Sequence, residues 1–362
     1  MTDPVDWDLA ERVAVRVAGR EPLADSYHYQ RLSADFDEAT AQAEDLVERA
    51  TGLRSATGDA RARVVDREDW VRANLASFGR LLRPLTDRMA EKLDERRGAR
   101  SLVGGVSRKA AAVEIGALLG WMSTRVLGQY DLLIIEDEDP DDQDLVYYVG
   151  PNVLALEKRY GFPPREFRLW LALHEVTHRA QFTGVPWLRP HFLGLVNRTL
   201  DAVDPDPRRL LDAMARVVED LRSGQNPLDE GGIATLLASP DQRDLFGRIG
   251  GMMSLLEGHG DVTMDRAGEG HVPSAKRFSR ALRERRRQGG SAAKVVQKAM
   301  GIDAKLKQYA QGESFIAYVE RHGGPDALDA AWRGPEWLPT LAEIRAPQEW
   351  LDRVRLSEEL VG

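Results

Sequence analysis

Apolar residues recur at three- and four-residue intervals over most of the chain, the period of a helix with one buried face. "SADFDEATAQAEDLVERATGL" carries this spacing, with Ser33 and Asp35 as candidate caps. "DREDWVRANLASFGRLLRPLTDRMAEKLDERR" continues it, and Pro84 predicts a kink or break. "SRKAAAVEIGALLGWMSTRVLG" is richer in Ala and Leu and predicts a buried helix. The pattern changes at "YDLLIIEDEDPDDQDLVYYVG", where two short Leu/Ile/Val/Tyr runs flank an acidic, proline-containing loop. That is the signal of a β-hairpin. From "PNVLALEKRYG" onward the chain returns to helices and loops, with a glycine-containing apolar segment at 247–260 and a basic segment, "RFSRALRERRRQGG".

There is no internal repeat and no Pro/Ser-rich linker. The fold class read from these patterns is mainly α with a small β-hairpin or sheet, as two packed helical lobes. The first, helical lobe is assigned to 1–128 and the second, metal-binding lobe to 129–362, with one continuous domain as the alternative.

The chemistry lies in "GFPPREFRLWLALHEVTHRAQF". A helix is expected to start at Pro163–Pro164 and to meet no breaker before Gly184. Leu169, Ala172, Leu173, Val176 and Ala180 form an apolar stripe, and Phe167, Trp170 and Leu171 extend it, so this helix should run through a core. His174 and His178 lie one turn apart on one face and can point two imidazoles at a single metal ion. Glu175 is about 100° further round, where it can act on a metal-bound water as general base. A buried helix has little reason to carry these polar side chains unless something binds them.

A catalytic zinc commonly takes three protein ligands and keeps one position open. The metzincin extension is absent, because Gln181 stands at its glycine and Gly184 at its third histidine. The candidate third ligand is Glu257 in "GMMSLLEGHGDVTMD", with His259 as its rival in the same segment. Asp261 follows one turn on. Gly258 and Gly260 weaken the helix there, so its continuation to Asp261 is open.

These motifs resemble the zincin superfamily. "LALHEVTHRAQF", "LLEGHGDVTMD" and "YYVGPN" are most similar to a mainly actinobacterial family of zincin-like proteins, assigned as hydrolases or zinc-dependent metalloproteases. Some of its members are associated with deazaflavin cofactor biosynthesis. The pattern of Glu257 and Asp261 resembles the gluzincin type, which implies that Asp261 orients a ligand histidine. The resemblance implies one zinc ion held by His174, His178 and Glu257, with Glu175 as general base on a peptide or amide bond. It also implies an edge strand that pairs with substrate, a role assigned to "DLVYYVGPN". A further group should stabilise the oxyanion, and His259, His271, Tyr309 and Tyr318 all remain open for it. Two alternatives stand beside the metallopeptidase: a zincin scaffold kept for binding or assembly without turnover, and a small-molecule amide hydrolase.

Composition narrows the partners. The 362 residues carry a formal net charge of −8, which argues against a general nucleic-acid-binding surface. There is no cysteine, so disulfides, thiolate metal sites and cysteine nucleophiles are all excluded. The N-terminus lacks the basic start and apolar core of a signal peptide, and no apolar run approaches ~20 residues. A cytoplasmic protein with no membrane or nucleic-acid partner is expected, and the oligomeric state is not legible. "EDEDPDDQD" lacks the ligand spacing of an EF-hand and reads as a solvated loop. "RALRERRRQ" reads as a basic helix end, and "RHGGPDALDAAWRGPEWLPTLAEI" as turns packing on helices.

Overall fold

The computed structural model describes residues 5–21, 23, 26–95, 101–130, 144–202, 240–287 and 302–361. Side chains at 89–95, 101–107, 240, 286–287, 302–310, 358 and 360–361 are not among those described. The chain forms two compact units, Met1–Gly184 with Thr263–Ala281, and Val185–Val262 with Leu282–Gly362. Mainly α structure with a small sheet is observed as expected. No described helix is long and apolar enough to cross a membrane.

The first unit holds α1 (Trp7–Ala18), α2 (Tyr27–Thr51), β1 (Arg61–Val65), α3 (Arg67–Glu95), α4 (Ser101–Ser123), β2 (Gly128–Tyr130), β3 (Leu145–Val149), α5 (Gly150–Tyr160) and α6 (Pro164–Gly184). Helix α2 starts earlier than Ser33 or Asp35 would have it. Ser26 is its cap, its hydroxyl accepting from the Tyr29 N–H at 3.2 Å. Helix α3 runs unbroken through Pro84, and the Thr86 hydroxyl donates to the carbonyl of Arg83 in that turn. Helices α1 and α4 approach closely because a Cβ at Gly116 or Gly120 would come 2.3 Å from the carbonyl oxygens of Ala10 and Ala14.

The hairpin is present, since β2 pairs antiparallel to β3 with Gly128 opposite Tyr148. The acidic loop expected to solvate its tip lies outside the described residues except for Asp144. A third strand, β1, pairs parallel to β3 along its whole length, giving the order β1-β3-β2. The "DLVYYVGPN" strand is therefore central and cannot be the free edge assigned to it. Every residue of β3 is buried, as its unbroken apolar run requires of a strand covered on both faces. Among the described strands, β2 and β1 are the edges.

"YYVGPN" has a packing explanation. Tyr148 stacks on Phe36 with ring centroids 3.9 Å apart and shares a 2.8 Å hydrogen bond with Thr40, which joins β3 to α2. A Cβ at Gly150 would meet Tyr29 at 2.7 Å and Leu32 at 2.9 Å, so only glycine fits that turn. The buried Asn152 amide donates to the carbonyls of Ser123 (2.6 Å) and Val126 (2.7 Å), and its oxygen accepts from Arg67 at 2.8 Å. On α6, Arg168 makes a bidentate pair with Glu157 at 2.9 Å and also bonds Asp35. Burial raises the Glu157 carboxyl above its ordinary value, although Arg168 opposes the shift.

Helix α7 (Leu188–Asp201) belongs to the second unit, and α8 (Pro240–Ala267) begins there and ends in the first. The basic helix α9 (Ala275–Arg287) runs from the first unit into the second. Helix α10 (Ile302–Gly323), two short 3-10 segments at Ala327–Trp332 and Pro335–Trp337, α11 (Leu341–Arg345) and α12 (Pro347–Val361) follow in the second unit. The glycines of α8 do not break it. A Cβ at Gly258 would lie 2.4 Å from the backbone of Gly312 on α10, and one at Gly251 only 2.2 Å from the Pro339 carbonyl. These glycines trade helix propensity for close backbone approach. The turns expected near the C-terminus are the 3-10 segments, which bury Leu328, Ala330 and Ala331, followed by a capping box between Thr340 and Glu343.

Candidate metal centre

Helix α6 spans Pro164–Gly184, the bounds its punctuation predicts. Its apolar positions Leu169, Ala172, Leu173, Val176 and Ala180 are all buried, which fixes the rotation of the helix and thereby the direction of the histidine face. His174 and His178 are half-buried, with ring centroids 4.7 Å apart and planes at 85°. Their Nε2 atoms lie 3.3 Å apart. Two nitrogens bound at about 2.0–2.1 Å to one tetrahedral ion are separated by roughly this distance, so the pair suits a shared metal.

The second ring nitrogen of His178 has a defined partner. Its Nδ1 lies 3.0 Å from Oε1 of Gln181, a fully buried side chain one turn on. With the Nδ1–H donating to that oxygen, the lone pair stays on Nε2, the atom that faces His174.

Glu257 lies on α8, and α8 is helical without interruption through Asp261. His174 and His178, in the first unit, and Glu257, in the second, are the side chains that could together hold a metal ion. Two imidazoles and one carboxylate are a donor set that could hold a metal, and one that leaves a position open in zinc hydrolases. Among the described residues no other group of three such side chains is gathered in this way. Asp261 is half-buried one turn beyond Glu257.

Glu175 is 8% exposed, and its environment is specific. Its Oε2 accepts the backbone N–H of Tyr130 on β2 at 3.1 Å. Gly128 on the same strand packs against it, where a Cβ would sit 2.8 Å from its Cγ and Oε1. Sequence reasoning passed over Gly128, Tyr130 and the bond made by Gln181. A glycine inside a short strand is itself a signal of close approach, and Gln181 stands at the i+3 position from His178.

The four groups considered for an oxyanion have different settings. His259 is buried, edge-on to Trp332 at 5.1 Å between ring centroids. His271 is exposed in the turn after α8. The Tyr318 hydroxyl donates to Gln348 at 2.7 Å, and its ring stacks on His322. Tyr309 lies outside the residues whose side chains are described. Tyr148, on β3, is fully buried. Burial pushes its phenol far above the ordinary value, the Glu175 charge adds to this, and the Thr40 hydrogen bond opposes it.

The helix after the histidines is held by Arg179, which is 1% exposed. It donates to Glu44 at 2.6 Å, to Asp144 at 2.7 Å and to the Gly58 carbonyl at 2.7 Å. Asp144 closes this network from a left-handed backbone conformation, φ 57°.

The profile of a zincin-like metallopeptidase family matches residues 5–351. A solved structure, a candidate hydrolase with a novel fold from Chloroflexus aurantiacus, is similar over 97% of this chain and 99% of its own, at 30% identity and a TM-score of 0.70. No curated protein matches the chain.

Proposed function

This chain belongs to the zincin-like metallopeptidase family, and on that premise we propose that it is a zinc-dependent hydrolase acting on a peptide or amide bond. His174, His178 and Glu257 hold the ion in this reading, and Asp261 steadies a ligand histidine. The observation that carries it is the 3.3 Å approach of the two Nε2 atoms, with the Glu175 carboxylate adjacent in sequence and fixed on β2. Zinc in such a site supplies a Lewis acid and lowers the pKa of water to about 7.

The rest of the work falls to the chain. Glu175 takes the proton of the attacking water on its carboxylate and returns it to the leaving amine. Its Oε2 accepts the Tyr130 N–H, which holds the carboxylate in place for that transfer. Gly128 keeps the strand out of the volume the carboxylate uses. Of the four oxyanion candidates, Tyr318 already donates its proton to Gln348 and His271 is exposed, so the role falls to His259 or Tyr309 in this reading.

The intact general base separates this reading from a scaffold without turnover, which has no use for Glu175. The test is zinc content and peptide hydrolysis of the full chain beside Glu175→Gln. The variant should keep its zinc and lose hydrolysis by at least about a hundredfold. Hydrolysis at the wild-type rate in Glu175→Gln would overturn the assignment.

A further inference from the structure

We propose that Gln181 is a positioning residue of this centre: its buried carbonyl oxygen holds His178 in the one tautomer that can bind a metal through Nε2. The inference rests on the metal reading above and adds a residue that this reading does not require.

An imidazole can bind a metal through either ring nitrogen, and the choice is set by the hydrogen bond made at the other. A ring that ligates through Nε2 carries its proton on Nδ1, and that proton needs an acceptor when it is buried. The Nδ1 of His178 lies 3.0 Å from Oε1 of Gln181. Gln181 is wholly buried on the same helix, three residues on, where helical geometry brings side chains together. The carboxylate that often takes this place in zinc sites donates charge through the ring and strengthens the ligand. A neutral amide orients the ring just as well but donates less. Gln181 therefore fixes direction without raising the basicity of His178, and leaves the ion more electrophilic than a carboxylate partner would.

The test is zinc affinity, measured by chelator competition on the full chain for wild type, Gln181→Met, Gln181→Glu and His178→Ala. Gln181→Met keeps the length of the side chain and removes the acceptor, so zinc should bind about 10–100-fold more weakly. Gln181→Glu keeps an acceptor oxygen in place and should bind zinc at least as tightly as wild type. Undiminished affinity in Gln181→Met overturns the inference, and so does equal loss in both variants, which would make the residue a packing element. A wild-type protein that binds zinc no better than His178→Ala overturns the metal centre itself. The zinc-loaded wild type gives a readout independent of variant folding. Nitrogen-15 NMR of its histidines should find His178 metallated at Nε2 with a slowly exchanging Nδ1 proton, and metallation at Nδ1 refutes the proposal.

Discussion

The carboxylate of Glu175 meets the backbone N–H of Tyr130 at 3.1 Å, which ties the residue between the two histidines of α6 to the edge strand β2. The bond is made at short range because Gly128, two residues earlier, has no side chain. A Cβ there would lie 2.8 Å from Glu175 Cγ. Gly128→Ala is expected to push the carboxylate aside by a fraction of an ångström to an ångström. Misplacing a catalytic group by this amount costs up to roughly a hundredfold in rate. The histidine pair is untouched by the change, so zinc stoichiometry should stay at the wild-type value while hydrolysis falls. Parallel metal analysis and turnover would check this, and unchanged turnover would show that the pose on β2 is irrelevant to the reaction.

Arg179 offers a prediction about stability. All its partners are acceptors, and two of them, Glu44 and Asp144, are carboxylates. Removing the cation from a 1% exposed position leaves both acids without their counter-charge. Arg179→Met should lower the unfolding free energy by about 3–5 kcal/mol, the range for breaking a buried pair from one side. Adding Asp144→Asn should recover part of that loss, because one stranded charge is then gone. Denaturant unfolding of the three proteins decides it. A single variant with the wild-type midpoint would mean that the network holds nothing in place.

How far the sequence reveals this structure depends on how local each determinant is. Helix α6 is legible because its start at Pro163–Pro164, its end at Gly184 and its apolar stripe are all contained within it. Strand β1 is not, because "RARVV" has too few residues to show a period, and its state depends on pairing with β3, 80 residues and more away. The mistaken edge role of β3 follows from the same omission. Asp35 reads as a cap in isolation, but its carboxylate is taken by Arg168 from α6. Gly258 reads as a weak point in α8, and the close backbone of Gly312 that makes it necessary lies on another helix, outside any local window. At the candidate site, the spacing within α6 points to His174, Glu175 and His178, and Glu257 is proposed from the donor set and the zincin resemblance. Gln181 was visible only as a departure from the metzincin pattern, since its value lies in an acceptor oxygen aimed at a ring nitrogen.

Glu343 predicts an acid-sensitive step. Burial raises its carboxyl, but Arg353, the Thr340 backbone N–H and the Thr340 hydroxyl outweigh burial, and the net shift is below its ordinary value of 4.5. The guanidinium of Arg353 approaches it at 2.6 Å. A carboxyl with a depressed folded-state pKa contributes stability above its unfolded value, and this is lost as pH falls through the folded value. Glu343→Gln keeps the capping geometry and removes the charge. It should cost about 1–2 kcal/mol at pH 7, discounted because Arg353 is partly exposed. The gap between wild type and variant should close as pH falls from about 5 towards 3. A gap that stays constant across that range would remove the ion pair as its cause.

Metal removal links the candidate centre to the stability of the whole chain. A ligand that binds only the folded state stabilises it by an amount set by its concentration relative to Kd, about 2.7 kcal/mol at a hundred times Kd. The zinc ligands proposed above, His174 and His178 on α6 and Glu257 on α8, come from two helices far apart in sequence. Unfolding separates them, so the bound ion should favour the folded chain. The zinc-loaded protein should therefore melt several degrees above its chelator-treated form, and readdition of zinc should restore the higher temperature. His178→Ala should melt at one temperature with or without zinc, since a single histidine and a carboxylate form too poor a site to hold the ion. Glu175→Gln should keep the full zinc-dependent shift, because its carboxylate is engaged by Tyr130 and is assigned to proton transfer instead of coordination. A lost shift in Glu175→Gln would make Glu175 a ligand, and a retained shift in His178→Ala would place the ion elsewhere.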